Sequence, residues 1–291
     1  MDANTNDLTK RIQHCEIEIL QQIDRICRKY SLRYFAIGGT ALGAVRHEGF
    51  IPWDDDIDIG MPRKDYEQLL RVLQTELPEG YHIQSFATEP ETPFYFTKIR
   101  RDNTLFVEYY LKDYDMHHGI FVDIFPFDHV PQNSKVKKIH EQIGWFLYQL
   151  YLAKSLKTVC SSRFGNKKNR KKIYIRKLLH RILIPIPKKV LFGVLDWWVQ
   201  LFNKREADEI AHIVRRRLRV KVENLEPIRY LKFEHTEIAV PNDYDAYLRG
   251  QFGNYETLPP QEKRYGHLPY LVEFDVDKEN LYGYRVHSRS L

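Results

Sequence analysis

Leu8, Ile12, Cys15, Ile19, Ile23, Ile26 and Tyr30 recur every three or four residues. That is the apolar stripe of an amphipathic helix, and the Asn6/Asp7 region can cap its start. The period then changes. "RYFAI" (33–37) and "IDIGM" (57–61) are apolar runs of strand length. Pro62 stands where a helix begins, and Tyr66, Leu69, Leu70 and Leu73 give that helix an apolar face until Pro78 and Gly80 stop it. Further strand-like runs fall at 81–86, 94–100, 104–110 and 119–126. After Pro131 the pattern lengthens into helical periods through about residue 220. "FEHTEIAVP" (233–241) reads as a returning strand or hairpin, and "NDYDAYLRGQFGNY" (242–255) as a helix closed by Gly253. The outline is α+β: a mixed sheet flanked by helices over 1–130, a helical subdomain or insertion over 131–225, and a C-terminal return over 226–291.

Composition changes this picture little, and charge changes it more. The 291 residues, 43% of them hydrophobic, with 19 Tyr and 16 Phe, suit a packed globular chain. Its 45 Lys/Arg against 39 Asp/Glu are unevenly placed. Between Lys154 and Lys189 there are thirteen basic residues and no acidic one, so the remainder of the chain is net acidic. Three scattered cysteines, Cys15, Cys27 and Cys160, make no disulfide framework and suit a reducing compartment. The N-terminus lacks a basic-then-apolar leader, and no run approaches the roughly 18 apolar residues of a membrane span. The expectation is a cytoplasmic protein.

The candidate chemistry is concentrated in "GGTALGAVRHEGFIPWDDDIDIG" (38–60). A calcium loop would need glycine at its sixth position and glutamate at its twelfth. Counting from Asp54, those positions hold Ile59 and Asp65. A solvated acidic turn would not alternate with Ile57 and Ile59. In a strand, Asp54, Asp56 and Asp58 share one face while the isoleucines take the other. Like charges stacked on one face call for a positive partner, and a divalent cation is the economical one. Asp54 then stands behind the pair, and Asp55, on the opposite face, is structural or solvated. "GGTALG" fits neither the Walker loop nor the dinucleotide fingerprint. A strand ending in Gly38, Gly39 and Thr40 before a helix still frees backbone N–H groups for an anion. Helix, strand, Gly-Gly-Thr turn, short helix, then a strand bearing Asp-x-Asp is similar to the plan of the nucleotidyltransferase fold. Asp123, central in the apolar run "GIFVDIFP", supplies the third acid that such sites use. Arg46 and His47 on the short helix, and Lys98 and Arg100 on one face of the 94–100 strand, are candidate phosphate ligands. Trp53 reads as core or pocket wall. Tyr244, Tyr247 and Tyr255 read as packing, with one available to stack on a base or box a quaternary ammonium. His117 and His118, without partner cysteines, make no zinc site.

The stretches "IGGTALGAVRHEGFIPWDDDIDIGMPRKDYEQLL", "GIFVDIFPFD" and "VPNDYDAYLRGQFGNYETLPP" together resemble the LicD/fukutin family, in the family's order and at both ends of the chain. Residues 135–225 resemble it only loosely. The resemblance implies a nucleotidyltransferase-like fold and Mg²⁺-dependent (or Mn²⁺-dependent) transfer of a phosphorylated alcohol from a CDP-alcohol, CDP-choline favoured, to a glycan or its lipid-linked precursor. It puts Gly38 and Gly39 on the phosphate turn, Asp56 and Asp58 on the metal pair, and Asp123 on the third acid, as metal ligand or base. The basic, Trp-containing stretch 154–202 suits a peripheral contact with an anionic membrane face. Greasy runs interrupting its charges, and the lack of an RNA-binding module, argue against nucleic acid. The alternative reading is a nucleotidyltransferase that adds NMP from an NTP. A catalytically dead binding protein would be expected to have lost one of the three acids.

Overall fold

A computed structural model describes residues 3–156, 170–215, 218–266 and 269–276. The opening stripe forms α1 (Ala3–Lys29), which buries Ile12, Ile19, Ile23 and Ile26. β1 (Phe35–Ala36) leads directly into α2 (Gly38–His47), and β2 (Ile57–Pro62) into α3 (Arg63–Glu76). β3 (Tyr81–Gln84), β4 (Thr97–Arg101), β5 (Thr104–Val107) and β6 (Phe121–His129) follow. The helical stretch holds α4 (Ser134–Ser155), α5 (Arg170–Ile182) and α6 (Lys188–Val199). The chain returns through β7 (Glu209–Ala211), β8 (Arg219–Lys221), α7 (Val222–Leu225), β9 (Arg229–Phe233), β10 (Thr236–Val240), α8 (Tyr244–Phe252) and β11 (Leu271–Phe274).

The main sheet has the order β1-β2-β6-β4-β3, with β7 and then β8 joined to the far end of β6. Only β2 and β6 run parallel; every other pair is antiparallel. Period-two alternation sorts the two faces. Ile57, Ile59, Met61, Val122, Ile124 and Ile99 are fully buried in the core cluster that also holds α1's Ile19, Ile23 and Ile26 and α3's Leu69 and Leu73. Asp58, Asp123 and Lys98 occupy the opposite face, one per strand, on one register line.

Helical periods do not extend to residue 220. β7 and β8 are three-residue strands, and β7 pairs its Ile210 and Ala211 with the end of β6. Strands this short carry too few positions for an alternation to be seen in the sequence. The expected return at 233–241 is a hairpin of β9 and β10 with Phe233 opposite Thr236. α8 closes at Gly253 with positive φ, as its sequence suggested.

One buried ion pair ties α3 to the end of β6. Arg63 donates from Nε and Nη2 to the two oxygens of Asp128 at 2.8 and 2.7 Å, and Asn203 donates to the same carboxylate. Asp128→Ala would strand the Arg63 guanidinium in the interior, so we expect a loss of about 3–5 kcal/mol in urea unfolding. A loss below ~1 kcal/mol would mean that the pair behaves as a solvated surface bridge.

Candidate active site

The floor of the site is a row across four strands. Asp58 on β2 is level with Asp123 on β6, Asp123 with Lys98 on β4, and Lys98 with Gln84 on β3. Lys98 is only 2% exposed and grips both oxygens of Asp123, at 2.7 and 3.1 Å. Its ammonium lies 3.3 Å from the Phe121 ring centroid, with Phe94 and Phe96 at 4.8 and 5.3 Å. This aromatic box favours the charged amine in the interior. Burial pushes the Asp123 carboxyl up, and Lys98 pulls it part of the way back. Asp58 is raised well above its ordinary value, first by burial and then by the charges of Asp56 and Asp123, against the opposing influence of Arg215 and Lys98.

The glycine turn faces this row. Ile37 continues β1's pairing by donating its N–H to the Asp58 carbonyl, and α2 starts at the next residue. Gly38 has φ +56, a left-handed conformation that favours glycine, and a Cβ there would lie 3.9 Å from Asp58 Oδ2. A Cβ on Gly39 would stand 2.5 Å from Asp54 Oδ2, so only glycine lets that carboxylate approach the positive end of the helix. Gly38 donates its N–H to the Tyr247 hydroxyl at 3.2 Å. The Thr40 hydroxyl accepts from the Asp58 N–H at 2.8 Å, which fixes the strand to the turn. Thr40 therefore positions Asp58.

Strand geometry begins only at Ile57, so Asp54, Asp55 and Asp56 belong to the loop leading into β2. Asp55 is buried against Gly266 of the C-terminal segment, which makes it structural rather than solvated. Arg46 and His47 occupy the last turn of α2, about 12 Å along the axis from Gly38 at 1.5 Å per residue. Arg46 donates to the Tyr255 carbonyl at 2.6 Å, tying α2 to the segment after α8. The structure thus does not bring these two to the acid row. Arg100, fully buried, donates to Gln84 and to the Gly119 carbonyl, and its Nη2 has no hydrogen-bond partner.

Two further charged groups lie within electrostatic reach of the row, and no local motif marks either of them. Arg215, in the turn between β7 and β8, is solvent-accessible, with its guanidinium 5.0 and 5.4 Å from the Phe125 and Phe96 ring centroids. The surrounding protein strips part of its hydration, which works against its charge, yet Asp58 foremost, then Tyr148 and Asp123, hold its pKa above the ordinary value. Glu16 of α1 is 1% exposed, and its Oε2 has no partner. Burial, followed by the charges of Asp56, Asp55, Asp54 and Asp123, raises it well above the usual carboxyl range. Cys15 and Cys27 are free and buried.

A divalent cation fits this donor set in one particular way. Asp56 and Asp58 repel each other in the absence of added positive charge, and the Gly38 cradle leaves room beside Asp58. Among the described residues, no three His, Cys, Asp or Glu side chains converge into a ready-made metal cage. Two carboxylates alone would leave most of an octahedral ion's shell to phosphate oxygens and water.

Residues 31–168 match the family described as LicD/FKTN/FKRP, nucleotidyltransferase domain. Over that span this chain is similar to the LicD/fukutin family, and its mixed α+β architecture is nucleotidyltransferase-like. Over 266 residues it is 27% identical to the lipopolysaccharide cholinephosphotransferase LicD of Haemophilus influenzae, covering 86% of this chain and 92% of that one. It is also 27% identical over 107 residues to the mouse ribitol 5-phosphate transferase FKRP, covering 37% of this chain but only 19% of that protein. An uncharacterised protein of Rickettsia typhi is 36% identical over 67 residues, 23% of this chain and 22% of its own length.

The environment of Glu16 gives a signed pH prediction. A folded pKa raised above the unfolded value of about 4.3 means that folding keeps a proton which unfolding releases. Stability contributed by Glu16 is full below that value and is lost as pH rises through the folded pKa. In chelator-containing buffer, thermal unfolding of Glu16→Gln should therefore show a shallower fall in midpoint above pH ~4.3 than the unmodified chain. Parallel curves would remove Glu16 from the site's electrostatics.

Proposed function

We propose that this protein transfers a phosphorylated alcohol, phosphocholine in the favoured case, from a CDP-activated donor to a sugar hydroxyl of a glycan, releasing CMP. The observation that carries the reading is Asp58 level with Asp123 on adjacent parallel strands, opposite the Gly38 turn. Support comes from a relative named as a cholinephosphotransferase that aligns along nearly its whole length. Phosphoryl transfer of this kind depends on positioning and on neutralising the charge that grows on the leaving group.

Asp56 and Asp58 would hold the Mg²⁺ or Mn²⁺ ion. When bound, the ion supplies positive charge to the donor's phosphates. Backbone N–H groups of the first turn of α2, at the positive end of the helix, would hydrogen-bond the same phosphates from one side. Arg215 meets them from the opposite wall with a planar fork suited to phosphate oxygens. Asp123 accepts the proton of the attacking sugar hydroxyl. Its raised pKa suits a base better than an ordinary aspartate's would, and Lys98 holds both its oxygens in place. Lys98 is then a positioning residue and not a phosphate ligand. Unpaired cysteines suit a reducing compartment, and the reading puts the protein in the cytoplasm.

Incubation with Mg²⁺, a panel of CDP-alcohols and a glycan acceptor should yield CMP. Pyrophosphate from CTP in place of CMP would favour the nucleotidyltransferase alternative, and CMP from none of the donors would defeat the proposal. Asp58→Asn should abolish turnover and weaken Mn²⁺ binding measured by calorimetry. Asp123→Asn should lower kcat by ~10²–10⁴-fold with Mn²⁺ affinity retained; loss of affinity would make it a ligand instead. Arg215→Ala should cost about 100-fold in kcat/KM.

A further inference from the structure

We propose that the outward faces of α4, α5 and α6 form a docking surface for an anionic lipid bilayer. The argument starts from where large apolar side chains reach water. Among the described residues, most of those that do so lie between Val136 and Leu201, although the same helices pack their inner faces well. α4 buries His140, Gly144 and Tyr151, and α6 buries Leu195 and Val199. His140 and Trp198 exchange hydrogen bonds across the two helices.

The opposite faces carry a second apolar stripe. On α4, Ile139, Ile143 and Phe146 follow the i, i+4, i+7 spacing of one helix face, with Phe146 53% exposed. On α6, Val190, Val194 and Trp197 repeat that spacing, with Trp197 61% exposed. α5 adds Leu178 and Ile182. A monomeric globular surface seldom concentrates apolar groups in this way without a partner.

Charge selects the partner. Lys177, Arg181 and Lys189 stand exposed among these stripes. The sole acidic residue from Arg170 to Val199 is Asp196, which accepts from Tyr95 and lies 3.5 Å from Arg63. A second copy would bring like charge against like charge, whereas an anionic headgroup layer attracts it. No helix among the described residues is long and apolar enough to cross a membrane, so these helices would lie in the interface plane. The remainder of the basic stretch, 157–169, lies outside the described residues.

The test is sedimentation of the full-length protein with vesicles. Binding is expected to phosphatidylcholine vesicles containing phosphatidylglycerol, to weaken with added salt, and to be poor with phosphatidylcholine alone. Phe146→Ser with Trp197→Ser should lower the partition coefficient at least tenfold, on the order of the loss from burying two aromatic side chains. Circular dichroism would check that this variant folds. As a second readout, brominated lipid should quench tryptophan fluorescence of the unmodified protein. No binding to anionic vesicles, equal binding by the variant, or no quenching would overturn the proposal. So would a stable dimer in solution that the same substitutions dissociate, since the surface would then belong to a second copy.

Discussion

The structure depends on one costly adjacency, Asp58 beside Asp123 on neighbouring parallel strands. Register fixes it, because a one-residue slip of β2 would turn Asp58 into the core and Ile57 and Ile59 out of it. The hydrophobic core therefore enforces the electrostatic strain. Each feature around the pair answers that strain. Lys98 grips Asp123, Thr40 fixes the Asp58 backbone, and Arg215 brings positive charge from the turn between β7 and β8.

Removing the buried lysine would leave Asp123 without its partner, which is the usual asymmetry of interior ion pairs. The aromatic box around Lys98 matters for the same reason. Phe94, Phe96 and Phe121 offer their ring faces to an ammonium that water cannot reach. Phe96 then serves twice, because Arg215 also lies over it. Two cations placed around shared rings on the same face as two carboxylates make a compact charge-balancing unit.

How much of this could be read from the chain follows from how local each signal is. Asp58 and its flanking isoleucines announce a strand within five residues, and Gly38 with Gly39 marks a turn by itself. Asp123 stands out as an acid in an apolar run. Arg46 and His47 close α2, and the contact of Arg46 with the Tyr255 carbonyl depends on a segment 209 residues away, which no local pattern can show. Lys98 stands out by its charge, but its pairing with Asp123 is a property of strand order. Glu16 resembles any polar position on an amphipathic helix. Arg215 lies ninety-two residues beyond Asp123, in a turn between two three-residue strands, where no periodic pattern exists to place it.

The field of the cleft bears directly on what it can accept. Asp58 and Glu16 are both raised, and after burial the leading cause in each case is the charge of other carboxylates. A group held by such a field gains from any added positive charge, and a phosphate arriving alone would feel the same field as repulsion. Arg215 lessens this at Asp58 but does not reverse it, since Asp58 stays raised with Arg215 present. A phosphorylated donor and a divalent cation would therefore bind more favourably together than either would alone. The carboxylates would attract the cation, and the cation would in turn shield the donor.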